Sequence, residues 1–186
     1  MSPFLFALVA TFIAAMGGRD QRIAAQLSAR FGATTGLIAI CWVIAIGSAA
    51  LAAAIGAGMA QLFPPAAKTM FVALALLLGA IELAWPFSLR EPEEPTRSVF
   101  AIGFVLAVRQ LMDAARFLLV ALAAYFGEPV FVAIGGALGG GAALTVGWAM
   151  GKRLEKTLPL RAIRHGVAAL LLLAAIWAGL SARGII

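Results

Sequence analysis

Charged residues are scarce in this chain of 186 residues. Only 12% of the residues are Asp, Glu, Lys or Arg, and 63% are hydrophobic. A soluble domain normally carries roughly a quarter charged residues, because they cover the surface that faces water. The composition therefore excludes a water-facing globular protein. It predicts an all-α integral membrane protein, most of whose surface contacts lipid.

Cysteine and catalytic motifs are also nearly missing from the sequence. The single cysteine, Cys41, excludes an intrachain disulfide and a thiolate metal cluster, and we interpret it as a small buried side chain. There is no Ser–His–Asp set and no phosphate-binding loop, so we expect neither enzymatic activity nor a resident cofactor. The net charge of +6 is interpreted as basic cytoplasmic loops, and no nucleic-acid partner is expected.

Apolar runs are what the sequence has in abundance. A spanning helix needs about 20 mainly apolar residues, and six segments meet this length, the last one together with its flanks. They cover residues 4–31, 31–67, 69–89, 98–126, 129–151 and 166–182. A charged, proline-rich stretch separates the third segment from the fourth. We therefore expect a three-helix unit over residues 1–90, a loop over 91–97 and a second three-helix unit over 98–186.

The two units are similar to each other at an offset of 95 residues. The pair Phe31–Gly32 then coincides with Phe126–Gly127, and Pro64 coincides with Pro159. Because three helices per unit is an odd number, the second unit enters the membrane from the opposite side. The sequence predicts six transmembrane helices as two inverted repeats, an arrangement typical of secondary transporters with a site at mid-membrane. A structural bundle with accidental similarity is the alternative.

The basic loop residues predict the orientation in the membrane. With six spans, one side collects most of them: Arg30, Arg90, Arg97, Lys152, Arg153, Lys156, Arg161 and Arg164. Lys and Arg concentrate in cytoplasmic loops. We expect both termini on the non-cytoplasmic side of a membrane that we interpret as a bacterial inner membrane.

Two segments carry polar motifs near their middle. The first contains Gly17-Gly18-Arg19-Asp20-Gln21, whose glycine pair predicts a break in the helix. The fourth contains Arg109, Gln110, Asp113 and Arg116, and the three charged residues are predicted to form one stripe on a helix. Charged groups at this depth are expensive and point to a function. The stripe is either an ion-pair lock between the units or part of a gate or binding site.

These motifs, followed by Leu27-Ser28-Ala29-Arg30-Phe31-Gly32 and by Leu122-Ala123-Ala124-Tyr125-Phe126-Gly127, resemble uncharacterised protein family 0016. That family includes the Golgi manganese and calcium exchangers and bacterial manganese exporters, and it is related to the lysine-exporter group. The resemblance implies that the two motifs face each other and supply carboxylates to a divalent cation, which is exchanged for protons.

The sequence departs from the family motif, Glu-x-Gly-Asp-(Lys/Arg)-(Thr/Ser)-Gln, at its acids. The two Glu positions are Ala15 and Gln110, and the first Asp position is Gly18. Only Asp113 keeps its acid, while Asp20 lies two places beyond the expected position. The resemblance thus implies a metal site of Asp113, Gln110 and Asp20, which nearby arginines weaken.

The sequence favours a secondary transporter of the divalent cation (manganese or calcium):proton exchanger type with an altered site. Its alternatives are a transport-inactive paralogue that serves as a membrane binding or assembly module, and a carrier of an anionic or zwitterionic solute. Glu82 is interpreted as an interfacial residue beside Trp85, or else as an additional acid of the site. Expected partners are the lipid bilayer, Mn²⁺ or Ca²⁺ as substrate, protons and, in a homodimer, a second copy of the chain. The predicted ion pathway consists of Asp113, Gln110, Arg109, Arg116, Gly17, Gly18, Arg19, Asp20 and Gln21.

Overall fold

The structure, a computed structural model, describes residues 2–85, 113–157 and 159–185, and all regular structure in these ranges is helical. In chain order the helices are α1 (Pro3–Ala15), α2 (Arg19–Phe31), α3 (Thr35–Ala60), α4 (Pro65–Ala84), α5 (Ala114–Phe126), α6 (Pro129–Met150), α7 (Arg153–Thr157) and α8 (Leu160–Ala182). The predicted loop over 91–97, Arg109 and Gln110 lie outside the described residues.

Four of these helices, α3, α4, α6 and α8, are long and apolar enough to cross a membrane. Helices α1 and α2 together form a fifth candidate span, bent by 63° at the break between them. The prediction of a helical integral membrane protein is therefore confirmed, as is the break in the first segment. Many large apolar side chains of these helices are exposed, such as Val43, Leu170 and Trp177, as expected for a surface that faces lipid.

Helix α6 lies at the centre of the described fold, packed against α1, α2, α3 and α5. Its glycines make this possible, because a Cβ at Gly139 would overlap the carbonyl oxygen of Leu8 in α1, and one at Gly147 would overlap that of Gln21 in α2. Small residues are the usual means by which membrane helices approach closely. The glycine-rich fifth segment is thus a packing surface, as its composition predicts.

The remaining helices pack around this centre in pairs. Helix α5 lies against α3 and α4, and α4 lies along α8. At the crossing of α3 and α5, a Cβ on Gly56 would overlap the carbonyl oxygen of Val120. Among the described helices, α8 packs mainly against α4.

Helix boundaries recur at the offset of 95 residues that the sequence comparison uses. Helices α2 (Arg19–Phe31) and α5 (Ala114–Phe126) begin and end at equivalent positions, and α4 and α8 begin at equivalent positions. The residue before α2 is Gly18 and the residue before α5 is Asp113, and both have an extended backbone. Each helix ends at a glycine with positive φ, Gly32 and Gly127.

Candidate functional site

The break between α1 and α2 is built by two glycines. Gly17 has a φ of +73°, a conformation that glycine adopts without steric cost. Gly18 is extended and its amide donates to the Ala15 carbonyl oxygen at 3.1 Å, before the chain turns into α2. The first polar motif therefore lies at the start of a new helix, where backbone amides point outward and the helix dipole is positive.

Gln21 holds this break in place. Its Oε1 accepts a hydrogen bond of 2.8 Å from the Gly17 amide, and its Nε2 donates to the Ala143 carbonyl oxygen of α6 at 3.0 Å. Only 1% of the Gln21 surface is exposed. A buried amide side chain with both ends hydrogen-bonded fixes the break against the central helix.

The second polar motif also lies at a helix start. Asp113 is the residue before α5, with an extended backbone at φ −79° and ψ 141°. It therefore does not lie within a continuous helix, and the predicted helical stripe through Asp113 is wrong at this point. Asp is favoured at the position before a helix, which a search for helical spacing alone does not weigh.

Arg116, in the first turn of α5, is buried at the helix crossings. Its Nε donates to the Ser48 Oγ of α3 at 2.8 Å, and 3% of its surface is exposed. The guanidinium lies against α6 at Gly140, where a Cβ would come within 3.0 Å of Nη2. The bare backbone of a glycine thus makes room for a buried cation.

The contacts of Gln21 and Arg116 are reciprocal between the two units. Arg116 is the equivalent of Gln21 at the 95-residue offset, and Ala143 is the equivalent of Ser48. Gln21 bonds from the first unit to Ala143 in the second, and Arg116 bonds from the second unit to Ser48 in the first.

Two glycines repeat this reciprocal relation. Gly56 faces Ala123 and Ala124, and its equivalent Gly151 faces Ser28 and Ala29. Ala123 and Ala124 are the equivalents of Ser28 and Ala29 at the offset of 95 residues. Both glycines therefore contact equivalent positions in the other half of the sequence.

A small cavity, with room for about one water molecule, lies where both helix starts meet α4 and α8. Its lining includes Gly18 and four charged side chains, Arg19, Glu82, Asp113 and Arg164. Gly18 and Asp113, which lie on different units, therefore face the same space. The structure brings these two predicted site residues together with Arg19.

Three acids converge around this cavity. The carboxyl group of Asp113 is in hydrogen-bonding contact with that of Glu82, and Asp20 and Arg116 are close enough to act on it electrostatically. Two carboxyl groups, those of Asp113 and Glu82, therefore lie side by side in the cavity wall. The Glu82 side chain lines the cavity, which supports its interpretation as an additional acid of the site.

Arg164 is the cavity residue that sequence reasoning missed, since it was assigned to a basic loop. It is buried in the first turns of α8, and its Nη2 donates to the carbonyl oxygens of Leu83 at 3.0 Å and Trp85 at 2.8 Å. These are among the last carbonyls of α4, which a cation stabilises. A Cβ on Gly17 would come within 2.8 Å of the Arg164 Cγ, so Arg164 also covers the helix break.

A signal for Arg164 was present in the sequence. The buried residues of α8 are Leu160, Arg164, Ala168, Leu171 and Ala175. This spacing of three or four residues is that of one helix face. Extending the apolar periodicity back from residue 166 would have placed Arg164 on the inward side.

Comparison with known families gives a match over the second half of the chain. Residues 98–185 match the family model described as the divalent cation/proton antiporter GDT1. The second half of the chain belongs to this antiporter family. No curated protein and no solved structure matches the chain. Members of the antiporter family are transporters, and the apolar helices of this chain fit an integral membrane protein.

The residues around the cavity fit the substrate of the antiporter family poorly. Ca²⁺ takes six to eight oxygen ligands and Mn²⁺ also prefers an oxygen shell. Within the ranges that the structure describes, no three His, Cys, Asp or Glu side chains are placed to hold a metal ion. The convergent acids are instead interleaved with the guanidinium groups of Arg19, Arg116 and Arg164.

Proposed function

We propose that this protein is a secondary transporter of the cation/proton antiporter type whose divalent-cation site is altered and weakened. The observation that carries the proposal is the cavity where two helix starts meet, with the carboxyl groups of Asp113 and Glu82 in its wall. In secondary transporters, broken helices of this kind direct their N-terminal ends at the substrate site.

The proposed architecture has six spans in two inverted repeats, residues 1–90 and 98–186, joined by the loop 91–97. Support comes from the helix boundaries that recur at 95 residues and from the reciprocal bonds of Gln21 and Arg116. In an isologous contact, residue i of the first unit contacts residue j of the second, and residue j of the first unit contacts residue i of the second. The two units obey this rule, as units related by a pseudo-two-fold axis would.

The proposed orientation places both termini on the non-cytoplasmic side, in a bacterial inner membrane. Lys152 and Arg153, between α6 and α8, then face the cytoplasm together with Arg30 at the end of α2. The reassignment of Arg164 to the interior removes one charge from this side, and the basic bias remains.

The proposed coupling is a competition between one proton and a cation for the two acids of the cavity wall, Asp113 and Glu82. When the pair loses this proton, two like charges lie in contact, and a cation entering the cavity relieves their repulsion. Protonation of an acid removes its negative charge and releases the cation. The proton and the cation therefore exclude each other from the cavity. Arg19, Arg116, Arg164 and Asp20 surround the pair and set how strongly each state is favoured.

The test is proton movement in proteoliposomes that contain the purified protein and an internal pH-sensitive dye. Adding Mn²⁺, Ca²⁺ or a monovalent cation outside should change the internal pH for at least one of these ions. The change should disappear in Asp113→Asn and persist in Glu128→Gln, a matched acid that is exposed at the start of α6.

A folded protein that moves no protons with any of these cations would contradict the proposal. It would favour the second candidate, a transport-inactive membrane module. The observation that favours this candidate is the fixed position of Arg164, whose two hydrogen bonds join α8 to the end of α4.

A further inference from the structure

Arg116 is a buried cation whose contacts on α3 and α6 are uncharged. The Oγ of Ser48 accepts a hydrogen bond from the Arg116 Nε. The missing side chain at Gly140 leaves space for the terminal nitrogens of the guanidinium. Its Nη2 is buried and has no hydrogen-bond partner among the described residues. A buried guanidinium that leaves hydrogen-bonding capacity unused is costly, so its neighbours must compensate for its charge.

Asp113 and Asp20 supply this compensation. Both act electrostatically on the Arg116 guanidinium, and Asp113 lies three residues before it at the same helix start. An arginine side chain keeps its positive charge under all physiological conditions. The two acids therefore face a permanent cation that is tethered to the protein.

The equivalent position in the other unit carries no charge. Gln21 satisfies its hydrogen bonds within the break and against α6, and it contributes an uncharged amide where Arg116 contributes a cation. The two equivalent positions thus differ by one unit of charge. The extra positive charge, on Arg116, lies in the same half of the sequence as Asp113.

We propose that Arg116 is a built-in cation that takes the charge-compensating place beside Asp113 and Asp20, and that it thereby excludes divalent metal ions from this site. It is a specificity-determining residue that acts through charge. A dipositive ion that approached Asp113 would have to displace the guanidinium or lie beside it, and like charges in contact are strongly unfavourable in a buried setting. The proposal deepens the proposed function, since it names the residue that alters the site.

The test is calorimetric titration of the purified protein with Mn²⁺. The natural chain and Arg116→Lys, which keeps the cation, should bind Mn²⁺ weakly or below detection. Arg116→Gln and Arg116→Met, which remove it, should bind at least about tenfold more tightly than the natural chain, because a like-charge contact is relieved. Binding should be lost again when Asp113→Asn is added to either neutral variant.

Arg30→Gln is the matched control, because it removes an exposed arginine from the end of α2 and should leave the titration unchanged. Comparable Mn²⁺ binding by the natural chain and the neutral variants would overturn the proposal. So would folded Arg116→Gln and Arg116→Met proteins that bind no Mn²⁺.

Loss of folding in the neutral variants is also informative. A bound ion stabilises the folded state by mass action, so Mn²⁺ in the medium should restore folded Arg116→Gln or Arg116→Met if the ion replaces the missing charge. Failure of this rescue would overturn the proposal.

The titration involves no transport, so its outcome is independent of the flux assay. A natural chain that moves no protons contradicts the proposed function alone. A chain that does move protons, while its neutral variants gain no metal binding, contradicts the role of Arg116 alone.

Discussion

At the scale of single residues, the site depends on polar side chains that are each fixed by a neighbouring helix. Gln21 bonds to α6, Arg116 to α3, and Arg164 to the end of α4. Burial of such groups is costly unless they are hydrogen-bonded or their charge is compensated. Their presence in a chain so poor in charge indicates that they position the cavity.

Arg164 provides the residue-scale prediction. Arg164→Met keeps most of the aliphatic length and removes both hydrogen bonds to the carbonyls of Leu83 and Trp85. Hydrogen bonds to charged groups contribute about 1.5–3 kcal/mol each, so we expect the free energy of unfolding to fall by roughly 2 kcal/mol or more. Thermal unfolding in one detergent measures this as a lower Tm.

The matched variant is Arg161→Met, which removes an exposed arginine three residues earlier on α8. Its Tm should stay close to that of the natural chain. Equal losses in the two variants would show that the Arg164 bonds add no stability.

Sequence reasoning found part of this residue set. It identified Gly17, Gly18, Asp20, Gln21, Asp113 and Arg116 because polar residues within apolar segments are conspicuous. It missed the burial of Arg164 and left the role of Glu82 open, since both lie near segment ends, where charged residues usually face water. Which side such a residue faces depends on tertiary packing.

At the scale of elements, the glycine surface of α6 decides how closely the broken segment approaches the centre. Gly135 and Gly139 both face the backbone of α1, at Phe4 and Leu8. Helix α1 therefore lies against α6 with no side chain between the two backbones. The position of the break, and with it of Gly18 in the cavity, follows from this contact.

The element-scale prediction is that Gly139→Ala destabilises the protein. The added methyl group would overlap the Leu8 carbonyl oxygen, and overpacking of a close contact costs typically about 1–3 kcal/mol. Gly47→Ala in α3 is the control, because nothing lies within 4 Å of the position that its methyl group would take. There alanine should be neutral or stabilising by up to about 1 kcal/mol. A Tm for Gly139→Ala at or above that of Gly47→Ala would contradict the packing account.

The apolar runs predicted the elements well, because length and hydrophobicity alone determine where a chain can span a membrane. Helices α3 and α6 fall within the runs 31–67 and 129–151, and α4 lies close to the run 69–89. The glycine pair predicted the break. What the runs could not provide was the extended backbone at Asp113, which depends on the preference of one residue for a helix start.

At the scale of the whole molecule, residues from both halves of the sequence line one cavity, and contacts at the 95-residue offset recur between the halves. Such an arrangement suits alternating access, in which one unit moves against the other around a fixed site. The weak internal similarity of the sequence pointed to this arrangement. The reciprocal bonds of Gln21 and Arg116 support it with contacts that composition alone does not explain.

The most direct test of this account is whether the cavity opens to both sides of the membrane, which requires no knowledge of the substrate. Ala14, in the cavity wall, is replaced by cysteine in a Cys41→Ala chain, and reconstituted vesicles are treated with a small membrane-impermeant thiol reagent from either side. We expect labelling of Ala14→Cys from both sides, in proportions that shift with the direction of an imposed proton gradient. A folded protein that is labelled from one side only, or from neither side, under both gradients would contradict the account.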